Sequence, residues 1–278
     1  MIGDPQTFQE FVGQDQIKRE MVAMLAVGDT SSILLRGNYG SGKTTLGMLY
    51  ASRRGDYTYR PVPKNLDDFN PIAATHVIDE IHLLTNQEVL YPLFDTHTFV
   101  FCTTEREELS TPFLSRCIEF QLDPYTDDDL YIIIEERANR EQIDIDDHGM
   151  KILAARSRGT PRTAVQLLHR VSTFARASGI NRITPRYTAS ILNELKIYDN
   201  GMTDDDLKYL NTLLDNEHPV SLFTMGAVLN RSRRYIQETI ESFLLYRNLI
   251  MITSKGRVLT EKGRTYIDEV RRGYAIQT

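Results

Sequence analysis

Cysteine is scarce in this sequence: Cys102 and Cys117 are the only two among 278 residues. Two thiols are too few for a disulfide framework and have no metal-ligand spacing, so structural zinc is excluded and both read as buried, reduced thiols. No apolar run approaches the ~18 residues a membrane-spanning helix needs. The opening MIGDPQTFQEF also lacks the basic-then-apolar layout of a signal peptide. The expectation is a chain with a cytoplasmic address and no membrane partner. Internal repeats and low-complexity segments are missing too, and 41% hydrophobic with 25% charged residues is ordinary globular usage, which excludes disordered and fibrous classes.

A net positive charge is likewise absent. The formal balance is −6, which taken alone argues against a nucleic-acid partner. The average conceals an asymmetry, however. From residue 230 onward ten Lys/Arg stand against five acids, a local net of +5 that leaves −11 on the rest.

What is present divides into three parts. The apolar runs ILLR (33–36), THVIDE (75–80) and FVFCTT (99–104) alternate with helical patterning, the signature of a parallel sheet, so residues 1–123 read as one α/β domain. After Pro124 the pattern becomes helix upon helix, with Asp, Thr or Ser available as N-caps, and residues 124–200 read as an all-helical domain. Asp199-Asn200-Gly201 is a turn signal at its end. In residues 201–278 three helices, the third from about Ser232 to Arg247, precede a strand LIMIT, a basic turn SKGR, a returning VL and a helix opened by Thr260. Three helices and a β-ribbon are the order of a winged helix, whose third helix can enter the major groove.

The chemistry concentrates at two motifs. Gly37-Asn38-Tyr39-Gly40-Ser41-Gly42-Lys43-Thr44, followed by Thr45, satisfies G-x-x-x-x-G-K-[ST] between a predicted strand and helix. Glycines let backbone N–H groups turn inward around phosphates, Lys43 reaches the β and γ oxygens, and the Thr44 hydroxyl takes a place on Mg²⁺. An acidic pair ending a strand is usually solvated surface. Downstream of a phosphate loop, Asp79 can instead hold the magnesium shell and Glu80 can deprotonate water. ATP and Mg²⁺ are the expected cofactors.

The order of phosphate loop, IDEIH, strand-end TT, PFLSRC and GTPR resembles the AAA+ ATPases. FVGQDQIK, IDEIHLL with the following VLYP, RGTPRTAVQLLHRV and the winged helix are most similar to the RuvB family of Holliday-junction branch-migration motors. The resemblance spans nearly the whole chain. It implies an α/β AAA+ P-loop ATPase domain, an all-helical lid and a C-terminal winged-helix domain. It further implies Thr104 as sensor 1, Arg116 as the finger reaching a neighbouring subunit's ATP, and Arg162 as sensor 2. Phe11 and Val12 would flank adenine, although ordinary core serves them equally well. The implied assembly is a homo-oligomer, a hexamer, on duplex or junction DNA. A RuvA-type partner is doubtful, because about two dozen residues between Asp79 and Thr104 leave no room for the β-hairpin by which RuvB proteins dock it.

Two other readings stand beside the motor. Leu114-Ser115-Arg116-Cys117 also resembles the SRC motif of clamp loaders, so a loader-like ATP switch acting on a clamp or helicase is the alternative. A clamp loader ends in an all-helical collar, however, and the ribbon expected at 250–259 favours the motor. A DNA-binding regulator that uses ATP only to assemble is the third. For the DNA contact itself, Arg231, Arg233, Arg234 and Tyr235 cluster at the start of the third helix, with Lys255 and Arg257 in the wing turn. These are phosphate-directed cations with an aromatic neighbour, suited to shape and backbone contacts.

Overall fold

The computed structural model describes residues 5–62, 74–216 and 218–273. They fall into two compact units. One holds the described residues up to Ile143 together with Gly159–Gln166, and the other holds Asp144–Arg158 together with the described residues from Leu167 onward.

The first unit is built on a parallel five-stranded sheet of β1 (Ser32–Arg36), β2 (Tyr57–Pro61), β3 (Thr75–Asp79), β4 (Thr98–Thr103) and β5 (Cys117–Gln121). Their order is β2-β3-β4-β1-β5. Parallel strands covered on both faces need near-continuous apolar runs. The central strands have them: Ile33, Leu34, Leu35, Val77, Phe99, Val100 and Phe101 are fully buried. Helices α1 (Asp15–Val27), α2 (Lys43–Arg54), α3 (Thr111–Leu114) and α4 (Asp127–Arg140) complete this unit's longer elements. α2 lies close on the sheet because Gly47 has no side chain; a Cβ there would come within 2.9 Å of Val100 Cγ1. Residues 80–97, between β3 and β4, hold two 3-10 segments, Ile81–Leu83 and Gln87–Leu93, and no strand. Cys102 is fully buried, and burial raises its thiol pKa well above the ordinary value. Cys117, expected to be buried as well, is half-buried, because it sits at the start of the edge strand β5.

The second unit comprises α5 (Asp147–Ala155), most of α6 (Pro161–Ala177), α7 (Pro185–Glu194) and then α8 (Asp204–Leu214), α9 (Leu222–Leu229), α10 (Arg233–Tyr235), α11 (Ser242–Tyr246) and α12 (Glu261–Arg271). Caps set the helix starts: Thr184, Ser221, Ser232 and Thr260 each accept a backbone N–H from the first turn. The expected third helix is present but not uniform, since a π turn at Ile236–Glu241 joins α10 to α11. The antiparallel hairpin β6 (Ile250–Thr253) and β7 (Gly256–Leu259) forms the wing, and Val220 bridges to Arg257 as a short third partner. Tyr209, Leu210, Met225, Ile236, Ile240, Leu244 and Ile267 make the winged-helix core.

Within the same unit two arginines fasten the end of α5 to the winged helix. Arg156 donates to Asn193 Oδ1 at 2.9 Å, to the Ile197 carbonyl at 3.0 Å and to Asp199. Arg158 lies over the Phe243 ring at 4.3 Å, donates to the Gly201 carbonyl at 2.8 Å and pairs with the fully buried Asp206. Burial pushes the Asp206 carboxyl pKa up against the pull of Arg158. Among the described residues, no helix is long and apolar enough to cross a membrane.

Candidate active site and nucleic-acid interface

Three neighbouring strands of the first unit, β3, β4 and β1, deliver the candidate chemistry at their C-terminal ends, where open α/β sheets bind ligands. β1 runs directly into the phosphate loop. Gly40 and Gly42 sit at φ of +80° and +90°, which an L side chain rarely adopts, so glycine is required at both. A Cβ on Gly40 would meet Arg162 Cβ at 3.0 Å, and one on Gly42 would meet Phe11 Cζ at 3.1 Å. Arg162 and Phe11 therefore both lie against the loop. The Arg162 guanidinium rests 4.4 Å over the ring of the exposed Tyr39. Val12 follows Phe11 and is half-buried.

Lys43 is buried, and its ammonium donates to the carbonyls of Gly37 and Asn38 at 2.9 and 3.0 Å. Desolvation lowers its pKa, while Cys102, Glu80 and Asp79 raise it. Ser41 Oγ is buried with no hydrogen-bond partner. A buried hydroxyl without a partner and a cation resting on its own loop's carbonyls are what an anion would relieve. Thr44 Oγ1 donates to Asp79 Oδ2 at 2.7 Å, which brings the two expected magnesium ligands together at the ends of α2 and β3. Thr45 follows in the first turn of α2 and is half-buried. The residues present thus fit Mg²⁺ and a phosphate chain.

Glu80 and Thr104 also meet. Thr104 Oγ1 donates to Glu80 Oε2 at 3.3 Å. Two neighbours went unnoticed in the sequence. His82 Nδ1 is 3.0 Å from Thr103 Oγ1 and 3.4 Å from Glu80 Oε2, and the Tyr59 hydroxyl donates to Asp79 Oδ2 at 3.4 Å. His82 stood in plain view inside IDEIH; Tyr59 carried no signal beyond a place on an alternating strand. Burial, then the nearby Asp79, raises the Tyr59 pKa. Arg116 is not at this site in its own chain. It is exposed after α3, 4.2 Å over the Tyr91 ring, and donates to the Pro112 carbonyl at 2.6 Å.

At the basic end the six expected contact residues separate. Lys255 is exposed at the two-residue turn of the wing. Arg231, Arg233, Arg234 and Tyr235 are all exposed around the start of α10. Three of them have local partners: Arg231 and the Tyr235 hydroxyl reach Asp205 at 2.9 and 3.3 Å, and Arg234 reaches Glu238 at 2.6 Å. Arg233 lies 5.5 Å from the Phe223 ring. Arg257 contradicts the expectation. Its guanidinium forms two hydrogen bonds, of 2.8 and 3.1 Å, with Glu241, a carboxylate only 2% exposed that also accepts from Tyr209 at 2.8 Å. A cation committed inward to a buried anion is not presented to a phosphate, so Arg257 leaves the DNA-facing set.

A parallel β2-β3-β4-β1-β5 sheet with the phosphate loop after β1, an acidic pair after β3 and a polar threonine after β4, continued by a helical lid and a winged helix, defines an AAA+ ATPase. Comparison sharpens the class. Residues 125–198 match the RuvB AAA lid domain and residues 199–268 match the RuvB C-terminal winged helix domain. The Holliday junction branch migration complex subunit RuvB of Rickettsia africae (strain ESF-5) is 31% identical over 92% of this chain and 87% of its own length. That of Campylobacter fetus subsp. fetus (strain 82-40) is 30% identical over 93% and 87%. The solved Thermotoga maritima RuvB Holliday junction branch migration motor superposes with a TM-score of 0.85 at 30% identity, covering 96% of this chain and 99% of that one. The chain belongs to the RuvB family.

Proposed function

We propose that this chain is a DNA motor that hydrolyses ATP within a homo-oligomeric ring, a hexamer, and drives duplex or Holliday-junction DNA through it by branch migration. The observation that carries the reading is the convergence of Lys43, the Thr44–Asp79 pair, the Thr104–Glu80 pair and Arg162 around one phosphate loop, in a chain that continues into a winged helix. Mg²⁺, when bound, neutralises charge on the triphosphate. Lys43 would exchange its two loop carbonyls for phosphate oxygens, and Thr44 and Asp79 would hold the metal. Glu80 takes the proton of the attacking water, Thr104 keeps that carboxylate beside the γ-phosphate, and Arg162 answers to the same phosphate from the lid. Arg116 serves the neighbouring subunit. Phe11 and Val12 border the adenine. Lys255, Arg231, Arg233, Arg234 and Tyr235 hold DNA through its backbone.

The division into an ATPase domain (1–123), lid (124–200) and winged helix (201–278) is part of this reading. The β6–β7 hairpin, where a clamp loader carries a helical collar, supports the motor over the loader. The 3-10 segments in place of a hairpin between β3 and β4 count against docking of a RuvA-type partner there. The test is a synthetic four-way junction with ATP and this protein alone. Strand exchange and junction-stimulated hydrolysis are expected, and both should vanish in Glu80→Gln while ATP binding persists. Near-normal turnover in that variant would remove Glu80 from the mechanism, and stimulation only by a clamp or helicase would replace the motor with the loader.

A further inference from the structure

Glu80 sits in an unusual backbone state for a carboxylate asked to act as a base. Its φ and ψ of +51° and +47° are left-handed, a conformation that costs energy for any residue with a Cβ and persists where neighbours enforce it. Enforcement comes from the turn that follows. Ile81 is fully buried, and His82, with a side chain 8% exposed, is wedged between the end of β4 and the glutamate.

The imidazole contacts assign its tautomer. Nδ1 lies 3.0 Å from Thr103 Oγ1 and 3.4 Å from Glu80 Oε2. Thr103 is fully buried, and its hydroxyl oxygen already accepts the Glu105 N–H at 3.0 Å. A bare Nδ1 would turn its lone pair on the glutamate's oxygen, which is repulsive. A protonated Nδ1 donates to Thr103 and leaves the positive edge of the same N–H toward Oε2. Thr104 also donates to Oε2, at 3.3 Å. Among the described residues, the side-chain contacts made to the Glu80 carboxylate fall on Oε2, which leaves Oε1 as the oxygen to receive a proton.

We propose that His82 is a positioning residue for hydrolysis: its Nδ1–H, anchored on Thr103, holds the Oε2 edge of Glu80 so that Oε1 acts as the base. The inference rests on the reading of Glu80 given above, and it predicts which atom of His82 matters. Asparagine places its Nδ2 donor where Nδ1 stands, whereas glutamine places its amide near Nε2.

Steady-state ATP hydrolysis by the full chain, with kcat and KM resolved, provides the test for His82→Leu, His82→Asn, His82→Gln, Thr103→Val and Glu80→Gln. General-base catalysis contributes about 10²–10⁴-fold, and misplacing the base forfeits part of it, so kcat in His82→Leu and His82→Gln should fall roughly 10- to 100-fold with KM nearly unchanged. His82→Asn should recover most of the loss. Thr103→Val removes the anchor and should lower kcat with the ring intact, which keeps the question answerable if His82→Leu folds poorly. Equal rates in the leucine and asparagine variants, or a defect confined to KM, would overturn the proposal. Turnover surviving in Glu80→Gln would overturn the reading beneath it, a different result from loss in Glu80→Gln with His82→Leu at the wild-type rate.

Discussion

Replacing Arg257 with alanine should unfold the winged helix more readily and leave its grip on DNA phosphates nearly unchanged. The partner explains why. Glu241 is 2% exposed and would keep only the Tyr209 hydroxyl after the guanidinium is gone. Breaking a buried ion pair from one side costs about 3–5 kcal/mol, and because the Arg257 side chain is itself 13% exposed, water offers some relief, so about 3 kcal/mol is expected. With a urea dependence of about 1–3 kcal/mol per molar, the midpoint should fall by roughly 1–3 M. The chain has no tryptophan, so far-UV circular dichroism is the suitable signal. Lys255→Ala supplies the contrast: stability should hold, while the slope of log affinity against log salt should drop by about one if that ammonium neutralises one phosphate. An Arg257→Ala protein with unaltered stability and a shallower salt slope would refute the assignment of this arginine to the interior.

Arg116 is expected to act across a subunit boundary. Mixing inactive Arg116→Ala with inactive Glu80→Gln should therefore restore part of the hydrolysis, and no recovery among exchanging subunits would count against it. Gly263→Ala should weaken the winged helix by about 3 kcal/mol, the upper range of overpacking, because a Cβ there would stand 1.9 Å from the Leu249 carbonyl oxygen; denaturation measures it. Arg106 hydrogen bonds hold the Glu119 carboxyl pKa below its ordinary 4.5, so the pair stabilises the fold above that pH and loses this contribution as pH falls below it. The stability gap between wild type and Glu119→Gln should accordingly narrow in acid.

Much of the architecture was legible in the chain because the signals were local. The phosphate loop, IDEIH and the caps at Thr184 and Thr260 are each written within a few residues. The strands β1, β3 and β4 announced themselves as apolar runs because both of their faces are covered. β2 and β5 did not, since edge strands alternate and carry polar residues: Tyr57, Arg60, Glu119 and Gln121 interrupt them. At the basic end, position in the sequence located the wing but not the commitment of Arg257. That depends on Glu241, sixteen residues earlier and brought inward by a turn that helical periodicity does not announce. Charge counts find a basic region; they cannot tell which cation already has a partner inside.

The π turn at Ile236–Glu241 also gives the third helix one residue of slack. A π turn holds one more residue than its α equivalent. Deleting one residue there would return the ladder to ordinary α bonding, and the loss would be absorbed within the turn. Phe243 and Leu244, 6% and 0% exposed, would keep facing the core beyond it, and Arg231 through Tyr235 would keep their places before it. A deletion of the same size in an α-bonded stretch has no such slack and turns everything beyond it by about 100°. One-residue gaps among functional sequences should therefore fall inside this turn and not in the α-helical turns that flank it.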